Sequence, residues 1–428
     1  MRMKSIAAQV AAVTSLATLL GGVGSPATAQ ESSPTITILA ARILDGRGGS
    51  VRDGAILVRD GRIVDVVRRS EGGAVRNPNI VYDLGDATVM PGLIDGHVHI
   101  NGYFTASGRL HTQNDGDTPT QTALAIVRNL KRMLESGVTT AQSMGAAEDA
   151  WYRDAIRDGS IAGPRILTTL NPITNEQLPP DSLRALVRQR KAMGADAIKI
   201  FASRSIREGG TTTMSAEQMN ALCGESKSLG LRTLVHAHSE ESMRISVLAG
   251  CTQIEHGVFS TPEILRLMAE RGTYFEPQCG LIFRNYLENR AAYQGIGNFN
   301  DEGFASMERA LPMASNVIRM ASTTPRLKLI WGTDAVAGAH GREVEDLICR
   351  VREGSQPAAD AIISATSRAA EALGLGGEIG VLARGYRADI IATAGDPTQN
   401  IDALRRVTFV MKDGRVYRLD APARVAGR

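Results

Sequence analysis

Two patterns of apolar and polar residues divide the chain, and each predicts a different structure. Residues 35–90 and 376–423 contain short segments in which apolar and polar positions alternate, such as "GAILVRDGRIVDVV" and "VTFVMKDGRVYRL", separated by Asp-Gly pairs. Alternation with a period of two and Asp-Gly turns is typical of β-hairpins. We therefore expect one small β-sandwich built from both ends of the chain, with a second domain inserted between them.

The inserted region, residues 91–375, has apolar segments of about four to six residues separated by amphipathic helices. The helical pattern is clear in "TALAIVRNLKRMLESG" and "TPEILRLMAERG". The eight predicted strands are "LIDGHVH", "GVTTAQSM", "RILTTL", "AIKIFA", "TLVHAH", "CTQIEHG", "TYFEPQ" and "LIWGTD". Eight β/α units predict an α/β fold of the (β/α)8 TIM barrel type, with the active site at the carboxyl ends of the strands.

Five of the seven histidines fall at the ends of these predicted strands. His97 and His99 end the first strand, His236 and His238 end the fifth, and His256 ends the sixth. Alternate residues of a strand share one face, so each pair projects to one side. A single H-x-H pair is equally typical of half-buried structural histidines. Five histidines at one rim indicate a metal site instead.

Two further polar residues occupy predicted strands of the same barrel. Lys199 lies within "AIKIFA", and Asp334 ends "LIWGTD". Lysine is rarely buried without a partner, but two nearby divalent cations would favour loss of its proton. The free amine could then take up CO₂ and form a carbamate that bridges two ions. The alternative is a lysine whose amine extends to solvent at the barrel mouth.

The ordered motifs "PGLIDGHVH", "GADAIKIFA", "LVHAH", "IEHG" and "WGTDA" resemble those of the amidohydrolase superfamily. The resemblance covers nearly the whole chain after residue 29. More narrowly, the chain is similar to the imidazolonepropionase-like branch, which includes Xaa-Pro dipeptidases and ochratoxin-hydrolysing amidases. This resemblance implies an enzyme that cleaves amide or peptide-like C–N bonds in dipeptides or N-acyl amino acids.

The resemblance also implies a centre of two divalent metal ions, and Zn²⁺ suits its nitrogen and oxygen ligands. The implied ligands are His97, His99 and Asp334 for one ion, His236 and His256 for the other, and carboxylated Lys199 between them. A hydroxide bridging the ions would attack the scissile carbonyl. Asp334 would act as the general base and then as the general acid.

Candidate substrate-binding residues lie in the loops after the strands. His238 shares a face with His236, although a structural role is as well supported. Arg204, just after Lys199, is a candidate anion clamp or an ordinary surface charge. His340, in "GAHGRE", follows the eighth strand. Dipeptidase-like members carry a histidine after the third strand, which "TTLNPITNEQLPPDS" lacks, and a glycine pair that is displaced here in "FASRSIREGG".

Two other functions stay open at this stage. The same metal chemistry can hydrolyse a cyclic amide or a lactone, and a barrel of this kind could also bind metal without turnover. Asp334 argues against a non-catalytic receptor, because a pure binding site has little need of an acid/base group.

The composition excludes some partners. The net charge is +3 and aromatic residues make up 4% of the chain, so neither a phosphate-binding basic cluster nor a base-stacking surface is expected. We predict a small-molecule substrate and no nucleic acid. A homo-oligomer is expected from the family resemblance alone.

The first 29 residues resemble a bacterial signal peptide. A basic "MRMK" precedes a short apolar stretch, and "ATA" ends at Ala29 as a small-residue cleavage site. The apolar stretch is too short and too polar for a stable membrane anchor. We therefore expect a periplasmic or secreted protein that begins near Gln30.

The four cysteines are widely separated in the chain and form no C-x-x-C motif. The sequence therefore favours small buried apolar residues at these positions. They are Cys223, Cys251, Cys279 and Cys349.

Overall fold

The computed structural model describes residues 34–71, 80–420 and 423–424, so the predicted signal peptide lies outside the described residues. The strands are β1 (Ile36–Leu44), β2 (Ser50–Arg59), β3 (Arg62–Arg68), β4 (Ile80–Asp83), β5 (Thr88–Pro91), β6 (Leu93–Val98), β7 (Val138–Ser143), β8 (Arg165–Thr168), β9 (Ala197–Phe201), β10 (Arg232–Ala237), β11 (Gln253–His256), β12 (Tyr274–Glu276), β13 (Lys328–Leu329), β14 (Ile390–Thr393), β15 (Val407–Lys412), β16 (Arg415–Leu419) and β17 (Ala423–Arg424).

The helices alternate with the central strands. They are α1 (Pro119–Glu135), α2 (Asp149–Arg157), α3 (Pro180–Ala192), α4 (Ala216–Ser228), α5 (Glu240–Leu248), α6 (Pro262–Arg271), α7 (Leu281–Glu288), α8 (Arg290–Tyr293), α9 (Asp301–Thr323), α10 (Val344–Arg352), α11 (Ala358–Ser364) and α12 (Ser367–Ala372).

Strands from both ends of the chain share one sheet. Its order is β16-β15-β14-β5-β1-β2-β3, and β4 pairs with β1 and β17. Two Asp-Gly pairs form its hairpin turns: Asp60 and Gly61 have φ angles of 51° and 71°, and Asp413 and Gly414 have φ angles of 49° and 76°. Positive φ at both turn residues matches the twist of paired strands. The two ends of the chain therefore share one sheet, as predicted. Their packing as a β-sandwich stays a prediction.

The eight central strands form two parallel sheets. β6, β7 and β8 make one sheet, and β9 to β13 make the other. Isolated parallel bridges join Val98 to Ala335 and Ile173 to Ile200, which connects the sheets at both edges. The predicted α/β class with parallel strands is confirmed, and closure into a single barrel stays a prediction.

The eighth strand is shorter than predicted. Ladder pairing in β13 ends at Leu329, although the apolar segment continues. The next residues still adjoin β6, because the N–H of Asp334 donates to the His97 carbonyl at 2.7 Å and the N–H of His99 donates to the Ala335 carbonyl at 2.8 Å. Asp334 has a φ of 55°, which interrupts strand geometry.

Helix α1 illustrates how the helices cover the strands. A capping box between Thr118 and Gln121 begins it, and the buried side chains of Leu130, Met133 and Leu134 line one face. These side chains pack in the same core as β7. Among the helices of the described residues, none combines the length and apolar character that crossing a membrane requires.

The four cysteines are buried, as the sequence favours, and the structure also pairs them. Disulfides join Cys223 to Cys251 and Cys279 to Cys349, across 28 and 70 positions of sequence. Cys223 lies on α4 and Cys349 on α10. Each is brought to its partner by the packing of separate β/α units, which the spacing of cysteines along the chain does not reveal.

Candidate active site

A cavity of about 970 Å³ opens at the carboxyl ends of the parallel strands. All six predicted metal ligands and His238 line it. Their common location follows from the topology, because the carboxyl ends of parallel strands meet at one edge of the sheet. Two of these residues have a left-handed backbone: His256, the last residue of β11, with a φ of 67°, and Asp334, in the segment after β13, with a φ of 55°. Such backbone costs about 1 kcal/mol or more for a residue with a β-carbon and is characteristic of functional sites.

His97, His99 and Asp334 form a three-ligand cluster. The Nε2 atoms of His97 and His99 lie 3.4 Å and 3.1 Å from Asp334 Oδ1, and one ligand atom from each residue lies within 4.8 Å of the others. Burial alone would raise the pKa of Asp334, but the imidazoles of His97, His99 and His256 outweigh it and hold that pKa well below its usual range. Asp334 is therefore ionised at neutral pH, which is the form that could bind a metal ion.

Two buried carboxyl groups lie behind His97. The Nδ1 atom of His97 contacts Glu255 Oε2 at 2.6 Å and Glu276 Oε2 at 3.1 Å. Burial would raise the pKa of Glu255, but Lys199 and His97 hold it well below its usual range. Burial and the adjacent Glu255 raise the pKa of Glu276 well above its usual range. The pair therefore holds one negative charge, and His97 Nε2 is left for a metal.

His236 and His256 form the second cluster, with ring centroids 4.4 Å apart. The Nε2 of His236 lies 3.3 Å from the Arg204 carbonyl, and the Nδ1 of His256 lies 2.7 Å from Gln278 Oε1. Each ring thus donates one N–H to a fixed acceptor and keeps its other nitrogen for the cavity. Burial lowers the pKa of His236 well below its usual range and that of His256 to about 3. Both rings are neutral, which is the form that binds metals.

Lys199 lies in β9 among these histidines. Its side chain is 1% exposed, and its Nζ has no hydrogen-bond partner among the described residues. Burial lowers the pKa of Lys199, although Glu255, Asp334 and Glu276 oppose that shift. An unpartnered buried amine is costly. The imidazoles and the aspartate are donors that fit a divalent metal ion, and His97, His99 and Asp334 are close enough together to hold one.

The model of the family described as "Amidohydrolase family" matches residues 88–417. The chain belongs to the amidohydrolase family. Its predicted class, a metal-dependent hydrolase of amide or peptide bonds in small molecules, is confirmed at this level.

Similar proteins place this amidohydrolase in the predicted branch. Ochratoxinase from Aspergillus niger is 23% identical over 447 residues, covering 92% of this chain and 88% of that protein. Imidazolonepropionase from Ralstonia nicotianae is 25% identical, covering 90% and 97%. The crystal structure of a Xaa-Pro dipeptidase with bound methionine in the active site superposes with a TM-score of 0.78 at 29% identity, covering 90% and 100%.

Of the predicted substrate-binding residues, only His238 lines the cavity of the amidohydrolase. Its ring stacks on His256 at 5.0 Å. Arg204 points elsewhere, because it pairs with Glu176 at 2.7 Å and its side chain is 48% exposed. His340 is buried and lines a separate cavity of about 350 Å³. The arrangement therefore gives no support to Arg204 or His340 as substrate ligands.

Other residues at the site were not found from the sequence. Glu255 and Glu276 could have been noticed, since each places a carboxyl group within a predicted barrel strand. Arg207 also lines the cavity, beside Tyr286, and no local pattern marks it. His111, for which the sequence favours no role, lies at the cavity wall, with Nδ1 2.6 Å from Asp115 Oδ2.

Proposed function

We propose that this protein is an exported hydrolase that uses two divalent metal ions, with Zn²⁺ as the expected ion, to cleave the amide bond of a dipeptide or an N-acyl amino acid. The observation that carries the proposal is the unpartnered amine of Lys199. Lys199 lines the same cavity as both candidate ligand clusters. Carboxylation would explain why this amine is buried without a partner, because the resulting carbamate would bind both ions.

His97, His99 and Asp334 would hold one ion, His236 and His256 the other, and carboxylated Lys199 both. When bound, the ions polarise the scissile carbonyl and lower the pKa of the water that attacks it.

Asp334 moves the proton in this reaction. Its carboxylate is ionised and lines the cavity, so it can accept a proton as the water oxygen bonds to the carbonyl carbon. It then gives that proton to the nitrogen as the C–N bond breaks, and a carboxylic acid and an amine leave. His238 presents an unpartnered buried Nδ1 in the same cavity and is placed to donate to a substrate oxygen.

The names of the relatives support the type of bond. Ochratoxinase and a Xaa-Pro dipeptidase match nearly the whole chain, and the second name denotes a peptide hydrolase. The test is hydrolysis by the metal-loaded protein of dipeptides, N-acyl amino acids, cyclic amides and lactones, with the metal-free protein as the control. Metal-dependent cleavage of the first two classes supports the proposal. Turnover of lactones or cyclic amides alone would contradict it.

Metal content provides a second test that does not depend on activity. We expect about two ions per chain by elemental analysis, and about one after His256→Ala. The matched control is His340→Ala, because His340 lies outside the active-site cavity and its loss should leave both ions in place. A fully active protein with a single ion would contradict the two-ion proposal.

Export is the remaining part of the proposal. Two disulfides support an oxidising compartment. Residues 1–29 resemble a signal peptide, which would direct the export of the chain. The intact mass of protein recovered from a bacterial periplasm or medium should correspond to a chain beginning near Gln30. Recovery only as a full-length membrane-bound species would contradict it.

A further inference from the structure

Arg207 lies in the loop after β9, and its guanidinium is held against aromatic rings of the active-site cavity. The guanidinium carbon lies 4.1 Å from the ring centroid of Phe299 and 5.3 Å from that of Tyr286. Its Nε donates to Asn298 Oδ1 at 2.6 Å. Stacking on two rings and one neutral hydrogen bond fix the position of this cation without neutralising it.

Arg207 has no ion-pair partner among the described residues, and it is the one arginine among those that line the cavity. The nearby carboxylate of Glu208 instead accepts a hydrogen bond from Asn298 Nδ2 at 2.8 Å. Arg204, three residues earlier, shows the opposite arrangement, since it is paired with Glu176. A half-buried guanidinium that faces a cavity with free N–H groups is a site for a carboxylate.

The loop that carries Arg207 is shaped by its glycine pair. The N–H of Arg207 donates to Ser205 Oγ at 3.3 Å, and Gly209 ends the short turn with a φ of 85°. Gly210 has a φ of 65°, and a β-carbon there would lie 2.7 Å from Cβ of His238. The loop can therefore pack directly against His238, which brings Arg207 towards the proposed metal centre.

The remaining wall of the cavity near Arg207 is apolar and aromatic. Phe201, Phe283, Tyr286 and Phe299 line it. Phe201 stacks on the His236 ring with centroids 4.4 Å apart, so this wall runs from the guanidinium to a candidate metal ligand.

We propose that Arg207 and this aromatic wall form the subsite for a large apolar or aromatic amino acid with a free carboxylate, the product that leaves as the amine. The guanidinium binds the carboxylate, and the side chain packs on the wall. This inference rests on the proposed hydrolase function and names its substrate class. Arg207, and not the sequence candidate Arg204, then binds the carboxylate, and Arg204 is the surface charge that the sequence also allowed.

Binding of a product tests the subsite separately from turnover. L-Phenylalanine and L-phenylalaninamide are titrated calorimetrically into the metal-loaded full-length protein, into Arg207→Gln and Arg207→Lys, and into Arg204→Gln as the matched control. Wild type should bind the carboxylate about 10- to 100-fold more tightly than the amide. Arg207→Gln should lose that preference and retain its affinity for the amide, which also shows that it is folded. Arg207→Lys should recover part of the preference, and Arg204→Gln should retain all of it.

Three results would overturn the proposal. They are a wild type that binds phenylalanine no better than its amide, an Arg207→Gln variant that keeps the preference, and an Arg204→Gln variant that loses it. Failure of the protein to hydrolyse any amide, with the binding pattern intact, would instead refute the hydrolase function and leave the carboxylate subsite standing.

Discussion

Replacing Glu255 by glutamine tests whether His97 needs an ionised neighbour in order to bind a metal. The Nδ1 of His97 lies 2.6 Å from Glu255 Oε2, and the two side chains are 1% and 0% exposed. A carboxylate at this position fixes the tautomer and makes Nε2 a better ligand. Glutamine keeps the size of the side chain and removes the charge.

The expected effect follows from this contact. Glu255 lies at ion-pair distance from His97 Nδ1. Loss of a carboxylate that supports a metal-binding histidine typically lowers metal affinity about 10- to 100-fold, which equals about 1.4 to 2.7 kcal/mol. Glu255→Gln should therefore weaken binding of the ion held by His97 by one to two orders of magnitude.

Glu276→Gln is the matched control, because Glu276 contacts the same nitrogen of His97 at 3.1 Å. Its pKa is raised well above the usual range, by burial and by Glu255, so it is a neutral acid at neutral pH. A glutamine amide imitates that acid: its oxygen can accept from Gln278, and its NH₂ can donate to Glu255. We expect metal affinity to fall by less than about threefold in this variant, well below the loss of a charged hydrogen bond.

The assay is competition for Zn²⁺ between the metal-free proteins and a chromophoric chelator at neutral pH, with circular dichroism to establish that each variant is folded. An equal loss of Zn²⁺ affinity in the two variants would show that the two carboxyl groups share the negative charge evenly. Unchanged Zn²⁺ affinity in Glu255→Gln would show that His97 does not bind the ion through Nε2. Either result would refute the reasoning.

Three further predictions concern other parts of the molecule. Lys199→Ala should be inactive and partly rescued by short carboxylic acids that replace the carbamate, and a carbon-13 spectrum showing an unmodified Lys199 in active, metal-loaded protein would contradict this. The double variant Cys223→Ser with Cys251→Ser should lose about 3 to 4 kcal/mol of unfolding free energy in urea, from the entropy of a 28-residue loop, and unchanged stability would count against it. Burial raises the pKa of Glu343 from 4.5 to about 7, so the folded state prefers the neutral acid and stability should fall as pH rises from about 4.5 to 7, by about 3 kcal/mol in total. The difference in unfolding free energy between wild type and Glu343→Gln, measured without metal, should follow that pH window, and a pH-independent difference would refute the assignment.

The sequence by itself determined the class of fold and the six candidate metal ligands that meet in the cavity. Both depend on local pattern: apolar strands alternating with amphipathic helices predict parallel strands, and parallel strands bring their carboxyl ends together. His97, His99, Lys199, His236 and Asp334 could be placed in one cavity without knowing any contact between them.

Only the tertiary structure decided which residues support that set. Glu255 contacts His97 across 158 positions of sequence, and each disulfide joins separate β/α units. The ladder of the eighth strand also ends early, at Leu329, and the segment that follows bonds to β6 through the N–H of Asp334 instead. These pairings depend on side-chain packing between segments that are distant in sequence. The spacing of residues along the chain does not predict that packing.

Arg204 and Arg207 show that the sequence also fails to predict side-chain orientation for residues that are close together in the chain. Both lie in one loop, and the sequence favours the one nearer Lys199. The turn that ends at Gly209, together with the close approach of Gly210 to His238, presents only Arg207 to the cavity. Asn298 and Phe299, about 90 residues away in sequence, then hold its guanidinium in place. The sequence shows that a charged residue is present. The packing of the whole domain decides where its side chain points and which group it contacts.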